Sequence, residues 1–346
     1  MKIIKDILAK IIPSKKEVAV GLDIGSSSVK VVQVQKMDGS KQKELVNFAI
    51  QPFKGDKRED IVKAIRDAFA RANITTTLVN TSVSGQAVIV RYVQMPKMTK
   101  EELSKAMAFQ AAKYIPFNVE DVNYDFQILD QGKPQDKFMR VLLVAVKKEL
   151  IDERTGILRE AGLIPNVIDV DSFSIINSFQ LGEKGNEGIV AVLDVGADIT
   201  STTILRDNIP YFNRDVPLGG NDLTKAITEG FEISTVEAEE LKRNPQERYG
   251  ELINIISPVL DSICGEIHLS FNYCESQLGG SVKKIYLTGG SAKFKGIDKV
   301  LSGILGVDVE IWDPTQMMPC SEAISKERLK EIGPLLSVSV GLALRE

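Results

Sequence analysis

Two short runs carry the residue types that phosphate chemistry needs. Gly21-Leu-Asp-Ile-Gly-Ser-Ser-Ser-Val-Lys30 and Val192-Leu-Asp-Val-Gly-Ala-Asp-Ile-Thr-Ser201 share one plan: an apolar strand, an aspartate, an apolar residue, a glycine, then small or polar residues entering another strand. Aspartate at the end of an apolar strand is costly unless it meets a cation or hydrogen-bond donors. Glycine two residues on lets the backbone reverse sharply and approach a ligand closely. The hydroxyls and amides of such a turn can bind phosphate oxygens. One copy is equally well a plain β-hairpin with a polar turn. Two copies, one in each half of the chain, point to a clamp that holds a triphosphate, with Asp23 and Asp194 near a hydrated Mg²⁺.

A third run, Ile285-Tyr-Leu-Thr-Gly-Gly-Ser-Ala292, is a strand that ends in two glycines, with a helix expected after it. Glycines there let a flat purine ring lie against backbone at the end of a strand that faces a cleft. Alone the run is weak; after two Asp-x-Gly hairpins it becomes specific. Other chemistries have little to work with. A zinc centre or a Ser-His-Asp triad would depend wholly on His268, the one histidine, which lies in a helical pattern far from any Gly-rich turn. Cys264, Cys274 and Cys320 have no metal-type spacing and read as reduced thiols. Any chemistry therefore rests on carboxylates, hydroxyls, lysines and a bound metal ion.

The elements that must position these residues can be read from periodicity. Residues 18–23, 29–34, 45–50, 80–83 and 87–93 read as strands, and 60–72 as a helix with Ile61, Ile65, Ala68 and Phe69 on one face. Thr99-Lys-Glu-Glu102 is a capping box that opens a helix to about Tyr114. Strands at 124–129 and 138–146 and a helix at 149–161 follow, so 96–165 has the make-up of a small α+β insert. Helices are expected at 222–230, 234–242, 253–278 and 334–344, and a strand at 283–288.

Residues 1–16 stand apart. Ile3, Ile4, Ile7, Leu8, Ile11 and Ile12 form an apolar stripe at helical spacing, Lys2, Lys5 and Lys10 lie elsewhere on the wheel, and Pro13 ends the helix. That pattern suits a membrane surface, a partner, or the protein's own body. No run of about 20 apolar residues spans a membrane and no signal peptide is evident. The chain has 346 residues, 43% of them hydrophobic, which bounds it at two or three ordinary globular domains in a reducing compartment. Its net charge of −4 gives no electrostatic reason for a nucleic-acid partner.

The order of these motifs resembles the five-motif arrangement of the actin, Hsp70 and sugar-kinase superfamily over most of the chain. The resemblance implies an α/β fold of two duplicated ribonuclease H-like domains, with ATP between them. Asp23, Gly25, Ser26, Ser27, Ser28 and Lys30 match the first phosphate motif, and Asp194, Gly196, Ala197, Asp198 and Thr200 the second. Asp171 heads the first connecting motif, where the superfamily places a residue near the attacking water. Gly220 and Asn221 lie at the start of a helix; Glu239 and Lys242 match a helix facing ribose and base; Gly289, Gly290 and Ser291 match the adenosine motif. Val340-Gly-Leu-Ala343 matches the second connecting motif at the hinge.

The insert narrows the branch. Arg91-Tyr-Val-Gln-Met-Pro-Lys-Met and Ala112-Lys-Tyr-Ile-Pro-Phe-Asn-Val-Glu-Asp-Val-Asn-Tyr-Asp125 resemble the PilM family of type IV pilus assembly proteins, whose layout is similar to that of FtsA. On that basis residues 17–86 are subdomain 1A, 87–165 the inserted 1C, 166–186 and 331–346 the rest of 1A, 187–225 and 282–330 subdomain 2A, and 226–281 subdomain 2B. The resemblance implies a cytoplasmic ATP binder at the inner face of the cytoplasmic membrane. It also implies binding of the cytoplasmic N-terminal peptide of PilN in a groove beside the insert, and contact with other pilus platform proteins. It favours ATP binding over fast hydrolysis, for which Asp171 alone is a slender basis. An FtsA- or MreB-like filament is the alternative; FtsA carries a membrane helix after this point, whereas this sequence stops at Glu346. A metabolic kinase is disfavoured by an insert without a sugar-binding array.

Overall fold

A computed structural model describes residues 17–37, 39–40, 42–55, 57–133, 135–182 and 188–345. The amphipathic stretch 1–16 lies outside the described residues.

Each half of the chain begins with a hairpin and continues into parallel strands. In the first half, β1 (Val18–Ile24), β2 (Ser28–Lys36) and β3 (Lys43–Pro52) run antiparallel, then β4 (Leu78–Val83) and β8 (Ile164–Val170) add in parallel, giving the order β3-β2-β1-β4-β8. In the second half, β9 (Ile189–Val195), β10 (Thr200–Arg206) and β11 (Ile209–Val216) run antiparallel, then β12 (Lys284–Thr288) and β13 (Asp308–Ile311) add in parallel, in the order β11-β10-β9-β12-β13. The two sheets thus follow the same path. The echo between the two Asp-x-Gly runs is the trace of a duplicated domain.

Helices cover the sheets because the strands are apolar on both faces. α1 (Arg58–Arg71) and α3 (Lys148–Ala161) bury Ile65, Ala68, Ile157 and Leu158 against Val20, Leu22, Val29 and Val31. In the second half, α5 (Gly220–Phe231), α7 (Tyr249–Leu278) and α8 (Ile297–Leu305) close one core, with α6 (Thr235–Arg243) adding Ala238. α7 is long and apolar enough to cross a membrane. Its buried Leu252, Ile256, Leu260, Ile263 and Ile267 recur at helical spacing and pack into that core, so it is a core helix. His268 sits on it beside the Phe271 ring, at 6.4 Å, and Cys264 and Cys274 are free and buried.

Between β4 and α3 stands a separate unit. β5 (Val88–Pro96), β6 (Val122–Asp130) and β7 (Phe138–Lys147) form a sheet in the order β5-β7-β6, backed by α2 (Lys100–Gln110), which opens on the Thr99/Glu102 capping box. Leu103, Met107, Met139, Val141 and Leu143 make its core. This sheet ends at Lys147. α3 and β8 belong to the first half, so the inserted unit stops well short of Pro165. An amphipathic helix shows which face is buried, not which sheet buries it, and here α3 packs on α1 and β8.

The halves are joined by two crossing helices, α4 (Asp171–Phe179) and α10 (Ser337–Leu344), with α9 (Lys326–Ile332) before the latter. They cross where Gly341 has no side chain: a Cβ there would lie 1.6 Å from the Ser174 carbonyl oxygen. Gly21 does the same for β1 against α10, with its Cβ position 2.0 Å from the Ser339 carbonyl oxygen. Beneath the crossing, the Phe179 ring lies tilted against Tyr286 at 4.9 Å and edge-on to Trp312 at 5.1 Å, tying α4 to the second sheet.

Candidate functional site

The first hairpin places a charge pair by register alone. Asp23 and Lys30 are cross-strand partners on β1 and β2, and Lys30 Nζ lies 3.0 Å from Asp23 Oδ2. The turn closes with the Gly25 N–H donating to the Ser28 carbonyl at 3.2 Å. A side chain at Gly25 would put its Cβ 2.9 Å from Lys30 Nζ, so the glycine keeps the ammonium accessible. Ser26 and Ser27 are exposed at the tip, whereas Ser28 is buried in β2. Burial pushes the Asp23 carboxyl up against the pull of Lys30. Burial also disfavours the Lys30 ammonium, but the fields of Asp23, Asp194 and Asp171 outweigh it and hold its pKa above the usual lysine value.

The second hairpin is braced against the start of α5. Gly196 N–H donates to the Ile199 carbonyl at 2.9 Å. The Gly196 and Ala197 carbonyls accept the Gly220 and Asn221 N–H groups at 2.9 and 2.7 Å. A Cβ at Gly219 would meet the Ala197 oxygen at 2.6 Å. The Asn221 amide donates to Asp198 Oδ1 at 2.6 Å. Thr200 is fully buried and its hydroxyl donates to the Leu218 carbonyl at 2.8 Å, which ties the hairpin to the segment leading into α5.

Asp194 stands at the end of β9 where Asp23 stands at the end of β1. Burial, together with Asp171, Asp23 and Asp215 against the relief of Lys30, pushes its carboxyl up to about 7. The third run closes on it: Gly289 has φ +89°, and a Cβ there would lie 2.2 Å from Asp194 Oδ1. Gly290 borders open space, and the Cβ position of Gly220 lies 2.9 Å from Ser291 Oγ, so these residues share one side of the cleft. Next to them Lys242 Nζ reaches Glu239 at 2.7 Å, the Thr224 hydroxyl at 2.6 Å and the Gly220 carbonyl at 3.1 Å. Burial works against the Glu239 carboxylate, but hydrogen bonds from Lys242 and Thr224 hold it below the usual range, while burial pushes Lys242 down.

Asp171 is the first residue of α4; burial is the main cause that raises the carboxyls of Asp23, Asp194 and Asp215, and Asp171 adds to it. Two cleft residues, Asp215 and Arg154, carry no signal in the sequence. Asp215 accepts from the Ser201 hydroxyl at 2.7 Å and from the Gly85 N–H at 3.1 Å, bridging the two halves. Arg154, on α3, donates to the Ile24 carbonyl at 3.4 Å, and Asp171 and Asp23 oppose the loss of its charge on burial. Thr224 hydrogen-bonds within the Glu239–Lys242 group. Asp215 lies on a strand that periodicity did not reveal, and Arg154 looks like ordinary helix-surface charge. The cleft therefore gathers Asp23, Asp171, Asp194 and Asp215 around Lys30 and Arg154, an excess of carboxylate that a divalent cation would offset. Among the described residues no three His, Cys, Asp or Glu form a cage for a metal.

A second feature lies beside the insert. A groove of about 290 Å³ runs between β6 and β8. Each is the last strand of its sheet, so the groove is flanked by two free sheet edges among the described residues. Apolar Val144, Val146, Ile151 and Phe173 line it, and Asp169 and Arg345 add a charge pair at 3.1 Å. Burial pushes Asp169 up.

Known proteins share this arrangement. The PilM–PilN type IV pilus biogenesis complex contains a chain 32% identical, with a TM-score of 0.83, covering 94% of this chain and 98% of that one. EutJ, an ethanolamine utilization protein from Carboxydothermus hydrogenoformans, shares the fold at a TM-score of 0.59 and 16% identity over 95% of this chain and 89% of that one. The cell division protein FtsA of Enterococcus hirae is 24% identical over 88% of this chain and 80% of its own length. Together they establish the actin-like fold. The family described as type IV pilus assembly protein PilM matches residues 21–346. With two sheets that follow one path and a family match over residues 21–346, this chain belongs to the PilM family of actin-like type IV pilus assembly proteins.

Proposed function

We propose that the chain is a cytoplasmic adaptor that holds ATP with Mg²⁺ in the cleft and, in that state, recruits the cytoplasmic N-terminal peptide of PilN to the pilus platform. The observation that carries the first half is the meeting of the two hairpins: Lys30 is paired with Asp23 and lies in the field of Asp194 on the opposite half. Gly25, Ser26, Ser27 and Lys30 on one side and Gly196, Ala197 and Asp198 on the other would hold the phosphates. Asp23 and Asp194 would face the ion through water. Gly220, Asn221, Glu239, Lys242, Gly289, Gly290 and Ser291 would bound the nucleoside. Asp171 would position water, a role that sustains at most slow turnover. An MreB of Spiroplasma citri that shares the fold was solved with AMPPNP.

The second half is supported by the solved complex of a relative with PilN and by the groove between two free sheet edges. Unpaired backbone groups there can add an extended peptide as a strand, while apolar side chains select its residues. Contact with further platform proteins, and peripheral membrane contact through residues 1–16, belong to the same proposal. Liposome flotation of wild type against Ile7→Glu tests the membrane part; equal flotation would sink it. The likeness to FtsA supports a second reading, a membrane-associated filament, which ATP-dependent sedimentation would reveal. The deciding experiment has two arms. ATP with Mg²⁺ should raise the melting temperature of wild type but not of Asp194→Ala, and a PilN N-terminal peptide should bind wild type. Full nucleotide binding by Asp194→Ala would break the clamp assignment.

A further inference from the structure

The cleft and the groove share two walls. On α3, Ile151 lines the groove and Arg154, one turn on, reaches the phosphate hairpin at the Ile24 carbonyl. At the β8–α4 junction, Asp169, Val170 and Phe173 line the groove, while Asp171 between them acts on the cleft carboxylates. A shift of either wall therefore changes both sites.

Arg154 is fitted to drive such a shift. A guanidinium has five N–H donors, yet among the described residues its one hydrogen bond is the 3.4 Å contact to Ile24. Its side chain is half-buried, its charge opposed by burial and upheld first by Asp171 and then by Asp23. A terminal phosphate between the hairpins would offer this fork a better acceptor than a strand-end carbonyl, because bidentate Arg–phosphate contacts are short and charge-assisted. Lys30, held by Asp23 at 3.0 Å, is a point charge without that fork. Resting on the ATP-and-peptide reading above, we infer that Arg154 is the positioning residue that distinguishes a nucleotide triphosphate from a diphosphate and passes the difference through α3 to Ile151 and the peptide groove.

The test measures a ratio. A fluorescein-labelled PilN N-terminal peptide is titrated into the full chain saturated with Mg²⁺ and either a non-hydrolysable ATP analogue or ADP. Wild type should show peptide affinities that differ by at least about fivefold between the two nucleotides, the lower end of ordinary allosteric coupling. Arg154→Gln should bring that ratio to within about twofold, since ADP lacks the group that Arg154 reads. Arg154→Lys, with charge but no fork, should restore part of it and guards against a folding defect in the glutamine variant. A ratio that persists in Arg154→Gln, or a wild-type ratio of one, overturns the inference while leaving the binding reading standing. A wild type that binds neither nucleotide overturns both.

Discussion

The charge state of Asp194 sets how this cleft should respond to pH. Burial and three neighbouring carboxylates outweigh Lys30 and push its carboxyl up to about 7. A hydrated Mg²⁺ needs the ionised form, so binding must first remove the proton. With a pKa of about 7, roughly a tenth of the sites are ionised at pH 6 and nine tenths at pH 8, so Mg²⁺-nucleotide affinity should rise about tenfold between them. The stability of the ligand-free protein should run the other way. The folded pKa is above the unfolded one, so this group's contribution is fully present below about pH 4 and is lost as pH rises through about 7. Asp194→Asn should therefore stabilise the ligand-free protein above pH 7, by on the order of 1–3 kcal/mol, the usual cost of burying an uncompensated polar group. Calorimetric titration of ADP at saturating Mg²⁺ from pH 6 to pH 8 reads the affinity, and thermal melts read the stability. The asparagine variant also separates Asp194 from the phosphate's own ionisation, because its binding should be weak and nearly flat with pH. A slope unchanged in Asp194→Asn would refute the reasoning.

Other perturbations probe the remaining contacts. Lys30→Met leaves Asp23 buried without its partner and should cost about 3–5 kcal/mol in urea denaturation as well as nucleotide binding; an equally stable variant would show that the pair is not structural. Lys242→Met removes the cation that links Glu239, Thr224 and the Gly220 carbonyl, and should weaken adenine nucleotides about tenfold without altering their Mg²⁺ dependence, by loss of one charge-assisted network. Gly341→Ala forces a methyl to 1.6 Å from the Ser174 oxygen and should lower stability by about 1–3 kcal/mol or more, with a wild-type melt as the contrary result. Val144→Glu places a charge in the groove and should abolish PilN peptide binding while leaving nucleotide affinity unchanged.

Much of the cleft could be read from sequence because backbone geometry dictates it. Asp23 and Asp194 end β1 and β9, a glycine follows two residues on in each, and strand register sets Lys30 across from Asp23 and Ser201 across from Asp194. What sequence missed follows from local ambiguity. β11 carries Pro210 and polar Asn213, Arg214 and Asp215, a composition tolerated on an edge strand but unlike a buried one. The turn before it, Asp207–Asn208 with both φ positive, was the available hairpin signal. β13 has only four residues, and β8 opens on Ile164-Pro165-Asn166, which reads as a loop. Thr200 belongs to the phosphate motif by position, but its hydroxyl is turned to the Leu218 carbonyl, a choice that spacing does not reveal.

The most direct test of the central claim is a crystal structure with Mg²⁺ and a non-hydrolysable ATP analogue. The account predicts phosphates between residues 25–27 and 196–198, the metal facing Asp23 and Asp194 through water, and the purine beside Gly290 and Ser291. A nucleotide bound elsewhere, or a cleft that stays empty at saturating concentration, would contradict it.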